Sequence, residues 1–271
     1  MQLFIGILLG IIIGIIAWRV GALDRSGALA AAVSGGLIFG LGGFPWAVLL
    51  LTFFISSSAL SRAFARRKLE LSEKFSKGGR RDWGQVFANG GLGALLAIVH
   101  TLRPGEAWPW IAFAGAMAAV NADTWATELG VLSPSPPRLI TTRKTVERGA
   151  SGGISIQGSL ASLGGAALVG ILAALLSALY YPSLSGILFL ILMVVLGGLS
   201  GAFFDSLLGA TVQAIYHCPV CDKETERHPV HVCGTETTHL RGWLWLNNDL
   251  VNFFASFVGA GTAVGLWNAL F

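Results

Sequence analysis

Long apolar runs recur along this sequence, and they restrict what the chain can fold into more than any other feature. A helix that crosses a bilayer needs roughly 17–25 mainly apolar residues. Eight runs approach or reach that length, at about 3–17, 27–43, 46–60, 84–101, 108–122, 154–178, 185–211 and 243–271. We therefore predict an all-α integral membrane protein. It is expected to form a single polytopic domain over residues 1–271, built as a bundle of about eight transmembrane helices.

The composition agrees with a membrane protein and excludes several other classes. Of the 271 residues, 54% are hydrophobic and only 12% are charged, with a mean hydropathy of +0.70. Soluble domains carry about 25% charged residues, so this chain has too little polar surface to cover a soluble globule. Disordered chains and disulfide frameworks are excluded as well. The 36 glycines favour closely packed membrane helices.

Basic residues are concentrated in three segments between the runs. Residues 61–81 hold eight of the eighteen Lys and Arg residues, and most of the others fall within 132–150 and 217–241. With eight spans, these segments all lie on one side, and Arg103 lies on the other. The positive-inside rule predicts that this side is cytoplasmic and that both termini are outside. Topology and anionic lipid head groups thus explain the sequence pI of about 9.2, and no nucleic-acid partner is needed.

The segment 61–81 has a second property, because apolar residues such as Phe64 and Leu71 are interspersed among its charges. This pattern is typical of an amphipathic helix that lies in the membrane interface. We predict a basic interfacial helix over 61–81. It would serve as a positive-inside anchor or guide an anionic head group to a site.

Carboxylates occur in or beside three of the spans, where an ionisable group is costly and therefore points to function. Asp123 and Glu128 lie in NADTWATELG, Asp205 lies in FFDSLLGATVQ, and Asp249 lies in WLNNDLVNF. On a regular helix, Asp123 and Glu128 point about 140° apart, so either the helix breaks or the two have different roles. Asp205 has small and apolar neighbours and needs a metal, a cation or a proton; we favour a metal.

Four amides accompany these carboxylates. Gln85 and Asn89 are one helical turn apart in the fourth run, and Asn248 and Asn252 are one turn apart in the last run. Amides in a span can be glue between helices. They could also complete a polar pocket together with the carboxylates.

The segment 136–153 brings four cations up to a glycine-rich turn. The residues concerned are Arg138, Arg143, Lys144, Arg148, Gly149, Gly152 and Gly153. A glycine-rich turn that opens a helix presents free N–H groups to an anion, and the preceding cations would bind a polyphosphate. The order of residues is not that of a Walker A motif. The same spacing also fits a positive-inside loop with a glycine hinge.

Acidic residues from separate spans at one membrane face fit a Mg²⁺–nucleotide site. Mg²⁺ takes a few carboxylates and leaves room for phosphate oxygens and water. The glycine-rich segment offers the contacts to phosphate. The residues therefore indicate chemistry on a phosphorylated lipid at the cytoplasmic surface.

All three cysteines lie in the loop 216–241, which we predict to be a small cytoplasmic zinc knuckle. A C-x-x-C pair and an H-x-C pair supply three thiolates and an imidazole, which satisfy a structural zinc site: Cys218, Cys221, His231 and Cys233. His217, His228 or His239 could replace His231. A redox pair and free thiols are the alternatives. A bound metal would hold the loop together and would not catalyse.

Several of these strings together resemble a known membrane family. QVFANGG at 85–91, NADTWATELG at 121–130, PRLITTRKTVERGASGGIS at 137–155, FDSLLGATVQ at 204–213 and the cysteine loop are similar to the family called domain of unknown function ninety-two. The resemblance covers roughly 25–265 and extends to the phytyl-phosphate kinases of vitamin E synthesis. It implies a CTP-dependent kinase that converts an isoprenoid monophosphate, of the phytyl or geranylgeranyl type, to its diphosphate.

A more distant resemblance to CDP-diacylglycerol synthases and dolichol kinases assigns roles to individual residues. Those CTP users have an acidic helix end, a basic K-T-x-E-G-x-x-G-G loop and a second acidic helix; here Arg148 interrupts the loop pattern. The resemblance implies that Asp123 and Asp205 bind Mg²⁺ and that Arg143 and Lys144 hold the triphosphate. Lys144 is then a catalytic candidate, and Glu128 and Asp249 would bind metal or orient the acceptor.

Two other functions use the same residues. A cytidylyltransferase would make a CDP-lipid and release pyrophosphate. A lipid or solute transporter would use the buried polar groups for passage, without chemistry.

Overall fold

The computed structural model describes residues 1–64, 79–177 and 184–270, and it confirms a mostly helical membrane architecture. Each of the eight apolar runs forms a helix. Their bounds are α1 Gln2–Arg19, α2 Arg25–Leu37, α3 Phe44–Ala63, α4 Trp83–Leu102, α5 Trp108–Gly130, α6 Ile156–Ser177, α7 Leu184–Thr211 and α8 Asn248–Leu270. A short π-helix, Ile38–Gly42, extends α2 to a full membrane-crossing length.

Helix α5 lies at the centre of the bundle. It packs against α3, α4, α6, α7 and α8, and every residue from Ile111 to Ala122 is buried. In the described part of the chain, seven helices are both long and apolar enough to cross a membrane, and α5 is outside that set. Its 23 residues are long enough, but its mean hydropathy is lower than that of the other spans. Five helices pack around it. Because of this enclosure, α5 can carry polar residues that a lipid-facing helix could not.

Two helix boundaries differ from the sequence prediction. Helix α5 continues without a break to Gly130, eight residues beyond the predicted end at 122. Helix α8 begins at Asn248, whereas the prediction began at 243. The apolar pattern ends earlier than the helix in the first case because the last turns of α5 face a polar cavity.

Successive helices run in opposite directions, so one end of the bundle collects the carboxyl ends of α1, α3, α5 and α7 and the amino ends of α2, α4, α6 and α8. We call this the polar end. A parallel bridge between Leu23 and Arg81 joins the α1–α2 turn to the start of α4 there. At the opposite end, Trp110 at the start of α5 donates a hydrogen bond to Ser177 at the end of α6, at 2.8 Å.

Two small β structures cover the polar end. A hairpin forms between β1, Arg138–Leu139, and β2, Gly153–Ile154. A three-stranded antiparallel sheet has the order β4-β3-β5 and contains the Cys/His loop; its strands are β3 Ile215–Cys218, β4 Lys223–Thr225 and β5 Thr238–Arg241. The sequence analysis predicted these segments only as loops.

The predicted interfacial helix over 61–81 falls largely on residues 65–78, which lie outside the described residues. That prediction therefore stays a prediction. Ser61–Ala63 form the last residues of α3, and Arg81 lies at the polar end beside Leu23.

Glycines bring α5, α7 and α8 into backbone contact. A Cβ atom added to Gly259 of α8 would lie 2.6 Å from the Cβ atom of Ala119 and 2.7 Å from the carbonyl oxygen of Gly115. One added to Gly197 of α7 would lie 2.6 Å from the carbonyl oxygen of Gly259. Real Cβ contacts are longer, so only glycine allows these helices to approach this closely.

We expect Gly259→Ala to lower the melting temperature of the detergent-solubilised protein, because the new methyl group overlaps α5. Overpacking of this kind costs roughly 1–3 kcal/mol. Gly261→Ala is the matched control, since nothing lies within 4 Å of its added Cβ atom. Thermal unfolding of both variants tests this, and equal melting temperatures for the two would contradict the close helix crossing.

Candidate functional site

A cavity of about 560 Å³ opens at the polar end, which we call the polar cavity. Its wall comes from α3 to α8 and from both β structures. Its polar lining residues are Ser61, Arg81, Gln85, Asn89, Asp123, Thr124, Thr127, Glu128, Arg148, Ser151, Ser155, Ser159, Ser162, Asp205, Ser206, Gln213, Glu226, Asn248 and Asn252. The four amides that sequence spacing grouped with the carboxylates all line it.

Three carboxylates of the polar cavity lie close enough for their charges to interact. They are Asp123 on α5, Asp205 on α7 and Glu226 in the Cys/His loop. The Oδ2 atom of Asp205 is buried and accepts no hydrogen bond from the described residues. A buried carboxylate oxygen without a donor is costly, so this oxygen is suited to a cation.

Glu226 was missed by the sequence analysis. Its Oε1 atom accepts hydrogen bonds from Ser151 Oγ at 2.7 Å and from Gln213 Nε2 at 2.9 Å. Gln213 is itself only 2% exposed. Glu226 stands in a polar loop, where glutamates are common, so no periodicity or spacing could distinguish it from a surface residue.

Asp123 and Glu128 have different neighbours, because α5 is unbroken and turns them apart. Ser61 on α3 donates a hydrogen bond to Glu128 Oε1 at 2.7 Å. Asn121, on the same face as Glu128, accepts one from Ser56 at 3.0 Å. This face therefore ties α5 to α3, while Asp123 lies with Asp205 and Glu226. The helix does not break, and the possibility that the two carboxylates have different roles stays a prediction.

Arg81 is a half-buried cation in the wall of the polar cavity. It donates hydrogen bonds to Ser58 Oγ at 3.1 Å and to Ser57 Oγ at 3.0 Å. Burial lowers the pKa of Arg81, and the nearby negative charge of Glu128 partly opposes that shift. Because the unperturbed pKa of arginine is far above neutral, the Arg81 guanidinium keeps its charge at neutral pH. From the sequence, Arg81 was identified only as one of the basic residues of segment 61–81.

Part of the predicted phosphate loop also lines the polar cavity. Arg148, Gly149, Gly152 and Gly153 are in its wall. Gly152 has a φ of +81°, and a Cβ atom there would lie 2.5 Å from the backbone nitrogen of Ala210. The glycine-rich loop therefore packs directly against the end of α7, at a residue that lies near Asp205 in the sequence. The 22-residue helix α6 begins beside it.

Four other predicted residues are placed elsewhere. Arg138, Arg143 and Lys144 are exposed on the β1–β2 hairpin and are outside the cavity lining. Asp249 is in the first turn of α8 but is not a lining residue. The structure does not bring these four together with Asp123 and Asp205.

The Cys/His loop forms a compact cluster outside the polar cavity. The ligand atoms of Cys218, Cys221, His231 and Cys233 all lie within 4.8 Å of one another, so the cluster can hold a metal ion. The other histidines are engaged differently: His217 contacts Asp222 at 3.0 Å, His228 stacks on Tyr216, and His239 contacts the Gly242 carbonyl oxygen at 3.0 Å.

The thiols of this cluster differ in acidity. Hydrogen bonds with the Thr235 and His231 side chains lower the pKa of Cys233 to about 6. The hydrogen bond with Cys233 raises the pKa of Cys221 to about 11. Cys233 is thus largely a thiolate at neutral pH, which is the form that binds a metal.

A second, smaller cavity of about 70 Å³ lies between α1, α2, α3 and α4, and we call it the apolar pocket. Its lining is mainly aliphatic and aromatic, with residues such as Ile13, Leu50 and Phe54. Three residues belong to the walls of both cavities: Arg81, Gln85 and Asn89. The two cavities therefore adjoin at the start of α4.

Comparison with known proteins shows the family. The family model described as "Integral membrane protein DUF92" matches residues 8–260, so the chain belongs to that family, as its motifs indicated. Protein PGR of Arabidopsis thaliana is 31% identical over 269 residues, which cover 93% of this chain and 91% of that protein. An uncharacterized membrane protein of Methanocaldococcus jannaschii is 34% identical over 209 residues, covering 77% and 82% of the two chains.

A more distant relative is Protein VTE6, chloroplastic, of Arabidopsis thaliana. It is 24% identical over 249 residues, which cover 90% of this chain and 65% of that protein. No solved structure matches this chain. The family and the membrane architecture are therefore shown, and the reaction has to be argued from the site.

We expect the purified full-length protein to carry one metal ion per chain in the Cys/His cluster. His231→Ala should lose it, because a closed structural site needs four ligands. His217→Asn is the control, since His217 is outside the cluster and should leave the metal content unchanged. Elemental mass spectrometry measures both, and a wild-type protein without stoichiometric metal would contradict the assignment.

Proposed function

We propose that this member of the DUF92 family is a CTP-dependent kinase that phosphorylates an isoprenoid monophosphate, of the phytyl or geranylgeranyl type, to its diphosphate. One observation carries the proposal. A polar cavity with carboxylates, arginines and helix-end amides adjoins an apolar pocket across a shared wall. A phosphorylated lipid needs this combination, because its head group is anionic and its tail is apolar.

The relatives support the proposal at the level of the family. The motifs resemble the vitamin E type of phytyl-phosphate kinase, and the match to Protein VTE6 covers most of this chain. The name of Protein PGR states no activity. The choice of CTP rests on the distant resemblance of the 121–153 and 197–213 segments to membrane CTP users.

The oxygen donors of the polar cavity fit Mg²⁺. Asp123 and Asp205 would hold the ion, and the buried Oδ2 atom of Asp205 has no described hydrogen-bond partner. A Mg²⁺ ion held by these two carboxylates would supply charge neutralisation for the nucleotide phosphates. Glu128 already accepts a hydrogen bond from Ser61 and lies near Arg81, so we assign it to the support of α5. Asp249 is outside the lining of the polar cavity, and its role in metal binding or in orienting the acceptor stays a prediction.

The chain's own groups would hold the triphosphate. Gly149 and Gly152 line the cavity wall, where their backbone N–H groups would donate to phosphate, and Arg148 lines the same wall. Arg143 and Lys144, on the exposed hairpin, would reach the distal phosphates from outside. Preorganised donors of this kind stabilise the charge that develops in phosphoryl transfer.

The reaction is an in-line transfer. A phosphate oxygen of the lipid attacks the γ-phosphorus of CTP and forms the new P–O bond. The bond from that phosphorus to the β–γ bridging oxygen breaks, and CDP leaves with the electron pair. A phosphate monoester is largely ionised near pH 7, so no general base is required. Positioning then supplies much of the rate enhancement.

We place the polar end in the cytoplasm and both termini outside. Described basic residues of all three charged segments, such as Arg81, Arg148 and Arg241, belong to this end, and Arg103 belongs to the other. Anionic lipid head groups would bind the basic segments. In the Cys/His cluster, three thiolates and one imidazole favour Zn²⁺, which would hold the loop together.

The direct test combines protein in lipid nanodiscs with Mg²⁺, CTP and geranylgeranyl phosphate. We expect CDP and geranylgeranyl diphosphate as products. Asp123→Asn and Asp205→Asn should each lower kcat/KM by about a hundredfold or more, because charge at the transferring phosphate is no longer stabilised. Glu106→Gln is the control, since Glu106 is exposed at the opposite end.

Product analysis separates the competing functions. Pyrophosphate with a CDP-lipid would identify a cytidylyltransferase and overturn the kinase. No turnover of CTP, ATP or UTP with any isoprenoid phosphate would favour a transporter.

The apolar pocket should determine which lipid tails are accepted. Gly35 lines it, and the nearest side-chain atom to an added Cβ is Leu50 Cδ2 at 4.0 Å, so Gly35→Val fills free space. Loss of one or two methylene contacts, at about 0.8 kcal/mol each, predicts a roughly four- to fifteenfold rise in KM for geranylgeranyl phosphate. Isopentenyl phosphate, which has a short tail, should be unaffected.

Gly265→Val is the matched control for this variant. Gly265 is exposed on α8, and nothing lies within 4 Å of its added Cβ atom. Equal KM values for the long substrate in both variants would exclude the apolar pocket as the tail site.

A further inference from the structure

Glu226 reaches the polar cavity from the Cys/His loop, while the other two interacting carboxylates come from helices. It follows β4 directly, in the stretch between Cys221 and His231. Its Oε1 atom is held by Ser151 of the glycine-rich loop and by Gln213 at the end of α7. The side chain is therefore fixed from two sides and lines the same wall as Asp123 and Asp205.

The three carboxylates line one cavity and are close enough for their charges to interact. The negative charge of Glu226 acts on both Asp123 and Asp205, and the two aspartates act on each other. Like charges brought together away from bulk water are unfavourable unless a cation is bound among them. Side-chain oxygens from three separate chain segments make the kind of oxygen-rich site that a hard divalent cation prefers.

A second observation points to a ligand at the same place. Ser162 on α6 lines the polar cavity, is only 3% exposed, and its Oγ atom has no hydrogen-bond partner among the described residues. Added Cβ atoms at Gly158 and Gly165, one turn to either side, would lie near the backbone of Ala126 and Asn121. Ser162 therefore faces the turn of α5 that carries Asp123. A buried hydroxyl without a partner is suited to a cation or to a water bound to one.

We propose that Glu226 binds, together with Asp123 and Asp205, one divalent cation in the polar cavity. The inference rests on the proposed function, because this cation is the one that nucleotide phosphates would share. The Cys/His loop then has a role in the site, since its fold delivers a metal ligand. Arg241 in β5 fastens the loop to the bundle with a hydrogen bond to the Gly209 carbonyl oxygen at 3.0 Å.

The experiment measures cation binding directly, without nucleotide or lipid. Mn²⁺ serves as the probe for Mg²⁺, and free Mn²⁺ is followed by electron paramagnetic resonance during titration of the full-length protein in detergent. Glu226→Gln should weaken Mn²⁺ binding about tenfold or more, as Asp205→Asn should. The amide oxygen that Glu226→Gln introduces can still accept the bonds from Ser151 and Gln213, so the loop keeps its position.

Glu224→Gln is the matched control, because Glu224 lies in the same loop but is exposed. It should bind Mn²⁺ like the wild type. Glu226→Asp keeps the charge but shortens the reach, and an affinity between those of the wild type and Glu226→Gln is expected. Metal content of the Cys/His cluster and the melting temperature of each variant report whether the loop is intact.

The outcomes separate this inference from the kinase. Unchanged Mn²⁺ affinity in Glu226→Gln, with weaker binding in Asp205→Asn, overturns the role of Glu226 even if diphosphate is formed. Absence of Mn²⁺ binding by the wild type overturns it too. Glu226-dependent Mn²⁺ binding without any phosphoryl transfer supports the cation site and refutes the kinase.

Discussion

The structure depends on the enclosure of α5 by five other helices. A bilayer offers no water to polar groups, so polar side chains at membrane depth need partners from the protein. Helix α5 meets this constraint because its neighbours surround it. Asn121, for example, is fully buried and donates a hydrogen bond to the Gly165 carbonyl oxygen at 2.8 Å. Close approach at Gly115 and Gly259 makes the enclosure tight enough to exclude lipid.

Because α5 is enclosed, its two polar faces have different contacts. The face of α5 with Asn121 and Glu128 bonds to serines of α3 and stabilises the bundle. The face with Asp123 looks into the polar cavity, where Asp205 of α7 meets it. Because α5 stays helical to Gly130, Asp123 and Glu128 remain on different faces. A rigid helix thus gives Asp123 and Glu128 different neighbours, although both line the polar cavity.

The two loops at the polar end contribute the rest of the polar cavity wall. The glycine-rich loop packs against the end of α7 through Gly152, and Ser151 of the same loop bonds to Glu226. The Cys/His loop is fastened to α7 through Gln213 and Arg241. Loops on a rigid scaffold commonly carry functional groups. In this protein, the wall shared with the apolar pocket also places those groups beside a small space lined mainly by apolar side chains.

The sequence alone determined the membrane class, the eight helices and the family, and it singled out Asp123 and Asp205 as candidates. Both results rest on local properties, namely the length of apolar runs and the presence of a charge within them. Spacing also grouped Cys218, Cys221 and Cys233 with a histidine, but four histidines were candidates. Only the tertiary structure selected His231, brought Glu226 to the aspartates and left Arg143 and Lys144 outside the cavity wall. Those outcomes depend on contacts between segments far apart in the chain, and residue spacing carries no record of such contacts.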